Sequence, residues 1–142
     1  MKKALGTLAV FLVLAVAIGT GIGACGDDDG GGGTKLTATL KEYTISLDRA
    51  ALPAGKVAVT AKNQGKEKHE VIALRTDLAI DKLPVVDGKV DETQMEGLDE
   101  IDNLEGGKSE TKTFDLPVGR YVFYCNQPKH YEQGMRTEVI VK

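Results

Sequence analysis

The chain has 142 residues, 42% of them hydrophobic and 27% charged, with a formal net charge of −3. That length fits one modest domain and a short leader, and leaves little room for a second core. The acidic balance argues against nucleic acid as a partner, because a phosphate backbone calls for a basic surface.

At the start of the chain, Lys2 and Lys3 precede an uncharged stretch, residues 4–26, dominated by Leu, Val, Ala, Ile and Phe. This is the layout of a secretory signal. The stretch closes on Ile22-Gly23-Ala24-Cys25, which resembles the bacterial lipoprotein signal and implies that residues 1–24 are removed and Cys25 is lipidated. An uncleaved transmembrane anchor is the alternative, since about 20 apolar residues can span a bilayer. Either way Lys2 and Lys3 favour the cytoplasmic side, so the domain is expected outside the cytoplasm, periplasmic or on the outer surface, and anchored to the cell membrane. Two cysteines in an exported chain ordinarily suggest a disulfide. A lipidated Cys25 cannot pair, which leaves Cys125 a free thiol.

Residues 25–33, rich in Gly and Asp, read as a flexible solvated tether. Loss of Lys2 and Lys3 with the leader reduces 18 basic side chains to 16 against 21 acidic ones, a formal charge of −5. The folded domain is expected at 34–142. Within it, Tyr43, Ile45 and Leu47 alternate with Thr44 and Ser46, as a half-buried strand requires. A turn at Pro53-Ala54-Gly55 leads to a second alternation, Val57, Val59, Ala61, which ends at Asn63-Gln64-Gly65. His69 then stands at the entrance of a strand-like run, Val71-Ile72-Ala73-Leu74.

The segment 78–107 differs in character, with Pro84, an Asp87-Gly88 turn and many acidic residues. It is read as an insertion with one short helix, because Met95, Leu98 and Ile101 recur every three residues as on a narrow apolar helix face. Its acidic side is either a solvated face or a docking patch. Thr111 to Leu116 alternates again, and Leu116-Pro117-Val118-Gly119 turns into Arg120-Tyr121-Val122-Phe123-Tyr124-Cys125, where Tyr121, Phe123 and Cys125 share a face. Residues 137–141 close the chain as a last strand. Short strands between turns, with a single helical candidate, predict an all-β fold, an antiparallel β-sandwich.

Chemistry concentrates near the end, where Cys125, His130 and Met135 follow a Cys-x4-His-x4-Met spacing and His69 is the one other histidine. With only two Cys, two His and three Met in the chain, such a cluster does not arise casually. A thiolate, two imidazoles and a thioether suit copper in both of its common oxidation states. Zinc, the competitor, does not ordinarily take a thioether. Taken singly, Cys125 and Met135 also read as core filling and the histidines as surface residues.

His69-Glu70, the Leu116 to Cys125 turn and strand, His130 and Gly134-Met135 together resemble the cupredoxins, with a closing loop of the rusticyanin and sulfocyanin type. The resemblance implies a Greek-key β-sandwich with one mononuclear type 1 copper, held by His69, Cys125, His130 and the axial thioether of Met135. It implies a one-electron carrier rather than an enzyme, acting as a monomer on redox partner proteins, with His130 as the electron's exit. The alternative is an extracytoplasmic copper-binding chaperone, against which stands the lack of Met-rich or His-rich tracts. A cupredoxin kept only for interaction would need vestigial ligands, and the set is intact. Glu70, Asn126, Lys129 and Tyr131 are the candidate supporting or electron-transfer surface residues. Two depart from the family pattern: Lys129 stands where relatives often have Gly, and Glu70 where many have Asn or Ser bonded to the cysteine loop.

Overall fold

The computed structural model describes residues 33–142, so the leader, Cys25 and nearly all of the tether lie outside the described residues. Strands β1 (Thr34–Lys41), β2 (Thr44–Leu47), β4 (Gly55–Asn63) and β9 (Ser109–Leu116) make one sheet in the order β2-β1-β4-β9. Strands β3 (Ala51–Leu52), β5 (His69–Arg75), β8 (Leu98–Leu104), β10 (Gly119–Tyr124) and β11 (Arg136–Val141) make the other, in the order β3-β11-β10-β5-β8. The chain passes between the sheets after β2, β3, β4, β8 and β9, and the sheets enclose one core, a β-sandwich. It is not wholly antiparallel: β1 runs parallel to β4, and β3 parallel to β11.

The period of two builds this core directly. Val57, Val59 and Ala61 from β4 meet Phe114 and Leu116 from β9 and Tyr121 and Phe123 from β10, all buried. Phe114 stacks on Phe123 across the gap, centroids 6.4 Å apart. The Tyr121 hydroxyl donates to the carbonyl of Pro117 at 2.9 Å, which pins the turn before β10. Tyr121→Phe is therefore expected to cost about 1 kcal/mol, the usual net worth of such a bond, read as a lower denaturation midpoint with an unchanged slope.

Strand β5 is buried along almost its whole length. Its inner residues Val71 and Ala73 join the core, while Ile72 and Leu74 face outward into a second cluster with Leu83, Val90, Val122, Tyr124 and Tyr131. Residues 80–95 roof that outer face with a small hairpin, β6 (Val85–Val86) and β7 (Lys89–Val90). A strand covered on both faces reads as a continuous apolar run, which explains Val71 to Leu74.

The helix expected on Met95, Leu98 and Ile101 is absent, and the helical part of the segment is a single 3-10 turn, Glu92–Gln94. Leu98 and Ile101 belong instead to β8, the edge strand beside β5, so residues 98–104 are part of the sheet. The physical reason is that both faces are covered: Met95 and Leu98 pack on the outer cluster and Ile101 in the inner core, and a bulge follows. His69 pairs with Leu104 and Val71 with Ile101, two steps on β5 against three on β8, with Asn103 at φ +50° absorbing the extra residue. Ile101 and Leu104 are thereby both buried at a spacing of three.

Candidate metal centre

Strand β5 begins at the end of the sandwich where antiparallel β10 finishes, so His69 and Cys125 arrive side by side on the inner face. From Cys125 the chain leaves the sheet and returns at β11. The loop is closed by backbone bonds among its chemical residues. Cys125 N–H donates to the Met135 carbonyl at 3.1 Å, and Met135 N–H to the His130 carbonyl at 3.0 Å. Gly134, at φ +105°, makes the turn a side chain would resist.

This folding brings His69, Cys125 and His130 together as a buried group. The two Nδ1 atoms lie 3.2 Å apart, at 3.9 Å (His69) and 3.5 Å (His130) from the Cys125 Sγ. A point equidistant from these three atoms lies about 2.1 Å from each, the length of an ordinary metal–imidazole bond. Three lone-pair donors facing one another at such distances repel unless protons or a cation sit among them. Met135 is fully buried, and its backbone bonds to Cys125 and His130 set it beside this group as the available thioether. The residues fit a thiophilic ion such as copper.

Burial pushes the Cys125 thiol up to about 11, against the opposing pull of the backbone amides of Gln127 and Glu70. A wholly buried thiol held in its neutral form is a poor nucleophile. Desolvation, and next the neighbouring His130, hold His69 below the ordinary imidazole range. An unprotonated imidazole is the form that ligates metal.

The sequence-predicted supporting residues are found around this group. Glu70 is buried; its carboxylate accepts from Gln127 Nε2 at 3.2 Å, so the bond to the cysteine loop exists through a different pair of residues. Burial, then Asp102 as hydrogen-bonding neighbour and like charge, raises Glu70 to about 7. Asn126 Oδ1 accepts from Val90 N–H at 2.6 Å, and its Nδ2 donates to the Val90 carbonyl at 3.1 Å and to Glu92 Oε1 at 2.7 Å. Tyr131 donates to the Ile80 carbonyl at 2.8 Å and accepts from Leu83 N–H at 2.9 Å. Lys129 is exposed at φ +69°, the left-handed region that favours glycine, and its N–H is held by the Gly88 carbonyl at 2.6 Å.

Sequence reasoning missed Tyr43, Glu42, Asn63 and Glu67. Tyr43 packs edge-on against His130, centroids 5.0 Å apart. The Glu42 carboxylate is drawn down to about 2, chiefly by the backbone amide of Glu67 and then by its own and that of Lys66. Asn63, read only as a strand breaker, is buried and bonds both the Glu67 and Leu104 carbonyls. No local pattern announces these residues, because each acts through a loop distant in sequence.

A two-sheet sandwich with two imidazoles, a thiol and a thioether gathered at one end defines a mononuclear metal-binding protein of the cupredoxin type. Residues 51–142 match the model of the copper binding proteins, plastocyanin/azurin family, and the chain belongs to that family. Among solved structures it is similar to dithionite-reduced auracyanin from Roseiflexus castenholzii, 26% identical over 79% of this chain and 99% of that one, with a TM-score of 0.57. Auracyanin A from Chloroflexus aurantiacus, described as a "blue" copper protein, is 22% identical over 76% of this chain and 99% of that one, TM-score 0.51. Rusticyanin from Thiobacillus ferrooxidans is 18% identical over 78% of this chain and 79% of that one, TM-score 0.55, a likeness of fold. A comparison with curated protein sequences finds no match.

Proposed function

We propose that the chain is a one-electron carrier, its redox centre a type 1 copper held by His69, Cys125, His130 and Met135, working outside the cytoplasm on a lipid tether at Cys25. The observation that carries this reading is the buried triangle of two imidazole Nδ1 atoms and the Cys125 Sγ, 3.2, 3.5 and 3.9 Å on its sides. The likeness to auracyanin, a "blue" copper protein, supports it. Copper bound there supplies a one-electron couple.

The chain's own residues do the rest. Strands β5 and β10 and the bonded loop hold the donors in place, and a cage that moves little keeps reorganisation small during electron transfer. His130 is buried but for a thin edge beside exposed Lys129, and that edge is the shortest way from the donors to a partner protein. The set leaves no open position for substrate, so turnover at the metal is not expected. The acidic residues of 96–105 line the exposed side of β8 and serve as solvated surface. Export rests on Lys2, Lys3 and the Ile22 to Cys25 pattern; among the described residues no helix is long and apolar enough to cross a membrane.

Copper added to the purified full chain should give an intense thiolate-to-copper absorption that a reductant bleaches and an oxidant restores. A colourless protein that binds only cuprous ion would instead support copper delivery. Mass spectrometry of the membrane fraction should find Cys25 as a lipidated N-terminus. Met135→Leu is expected to stay blue while its reduction potential rises, because losing a donor disfavours the more highly charged state. The size is on the order of one tenfold step in relative affinity, about 59 mV for one electron, read by potentiometric titration.

A further inference from the structure

We propose that Glu67 is a positioning residue for His130: its carboxylate fixes the imidazole with the proton on Nε2 and the Nδ1 lone pair turned to Cys125, and it lowers the centre's reduction potential. This rests on the copper-carrier reading above. Glu67 Oε2 lies 3.1 Å from His130 Nε2, while Nδ1 of the same ring lies 3.5 Å from the Cys125 Sγ. A neutral imidazole donates from one nitrogen only. A carboxylate accepts and cannot donate, so a proton on Nε2 leaves Nδ1 as the free donor to a metal.

Glu67 is half exposed, yet its backbone is held from two directions. Its N–H donates to Glu42 Oε1 at 2.8 Å, and its carbonyl accepts from Asn63 Nδ2 at 2.8 Å. The Glu42 carboxylate also takes the Lys66 N–H. It enters that cradle because residue 65 is glycine: a Cβ there would stand 2.5 Å from Glu42 Oε1. Asn63 is itself buried and accepts the Gly65 N–H at 2.9 Å. The loop thus aims one carboxylate at one imidazole.

The other imidazole is treated differently. His69 Nε2 is buried with no hydrogen-bond partner, and the nearest carboxylate oxygen, on Glu42, is 3.9 Å away and already engaged. His69 is therefore oriented by packing alone, and His130 by charge. A carboxylate behind a ligand imidazole makes it a stronger donor, and losing such partners typically lowers metal affinity about 10- to 100-fold. The stronger donor favours the oxidised, more highly charged state, so the potential falls. Half-exposure places Glu67 at the low end of that range.

The test uses Glu67→Ala and Glu67→Gln in the full chain. In metal-free protein, nitrogen chemical shifts should show His130 as the Nε2–H tautomer, and Glu67→Ala should mix the two tautomers. In copper-loaded protein, Glu67→Ala should weaken cupric relative to cuprous binding about tenfold, a rise in potential of about 59 mV, and Glu67→Gln should retain the tautomer and give a smaller rise. A Glu67→Ala chain with unchanged tautomer and potential overturns the proposal, as does one that merely melts earlier. If the wild-type chain takes up no copper, the carrier reading fails, and the metal-free tautomer result still decides whether Glu67 positions His130.

Discussion

Cys125→Ser is expected to abolish the blue absorption completely while leaving a folded sandwich. The colour requires a thiolate to give charge to the cupric ion, and a serine hydroxyl neither ionises at neutral pH nor offers a soft donor. Because the native thiol is held up to about 11 by burial, it is protonated in the metal-free chain at pH 7. Copper uptake should therefore release close to one proton per ion from the wild type, and none from the variant at that position. Stability separates from chemistry by comparing two replacements. A buried thiol behaves as a small apolar group, so a serine hydroxyl left without a partner costs about 1–3 kcal/mol. Cys125→Ala leaves no polar group unpaired, so it should be the more stable of the two and equally colourless. Absorption, pH-stat titration and denaturation curves check this, and a blue Cys125→Ser chain would refute the ligand assignment.

The ligand loop was legible because three scarce, soft or basic residues lie within a single stretch of chain. His69 was legible by scarcity and by standing before an apolar strand. The sandwich followed from alternation in β4 and β9, whose buried residues are those of period two, while β10, like β5, is buried on both faces. Where alternation broke, the reading failed: Met95 and Leu98 pack on the outer cluster and Ile101 in the inner core, so apolar residues three apart serve opposite faces and a strand passed for a helix. The apparent insertion hid the other lesson. Its residues 80–95 cover the outer face of β5 and β10, and the doubly buried run Val71 to Leu74 already required some cover of that kind. Most polar supports were illegible because their bonds join residues far apart in sequence, such as Glu42 with Lys66 and Glu70 with Gln127, and no periodicity encodes such pairs.

The same cover makes Asn126 the residue whose loss should be felt most away from the donors. Asn126 follows Cys125 directly, and its side chain is spent on the 80–95 segment: both backbone groups of Val90 and the Glu92 carboxylate. Tyr124 from the preceding strand donates to the same Glu92 oxygen at 2.8 Å, so strand end and loop start are tied to one anchor. Asn126→Ala strips partners from a buried backbone N–H and C=O together, at about 3 kcal/mol given roughly 1–3 kcal/mol per orphaned group. Tyr131 and the Lys129 N–H still hold the far side of the loop to Ile80, Leu83 and Gly88. The donors should therefore still assemble and the protein stay blue, but with the Cys125 side of the loop released, copper should dissociate faster. Asn126→Asp makes the sharper comparison: it keeps an acceptor for Val90 N–H but sets a second carboxylate against Glu92, so it should be destabilised at least as much at neutral pH. A cycle of Asn126→Ala with Glu92→Ala should give a coupling of about 1 kcal/mol or more, as contacting groups do. Urea unfolding and copper transfer to a chelator measure both effects; if Asn126→Ala matched the wild type in each, the 80–95 segment would be a bystander and the sandwich alone would hold the metal loop.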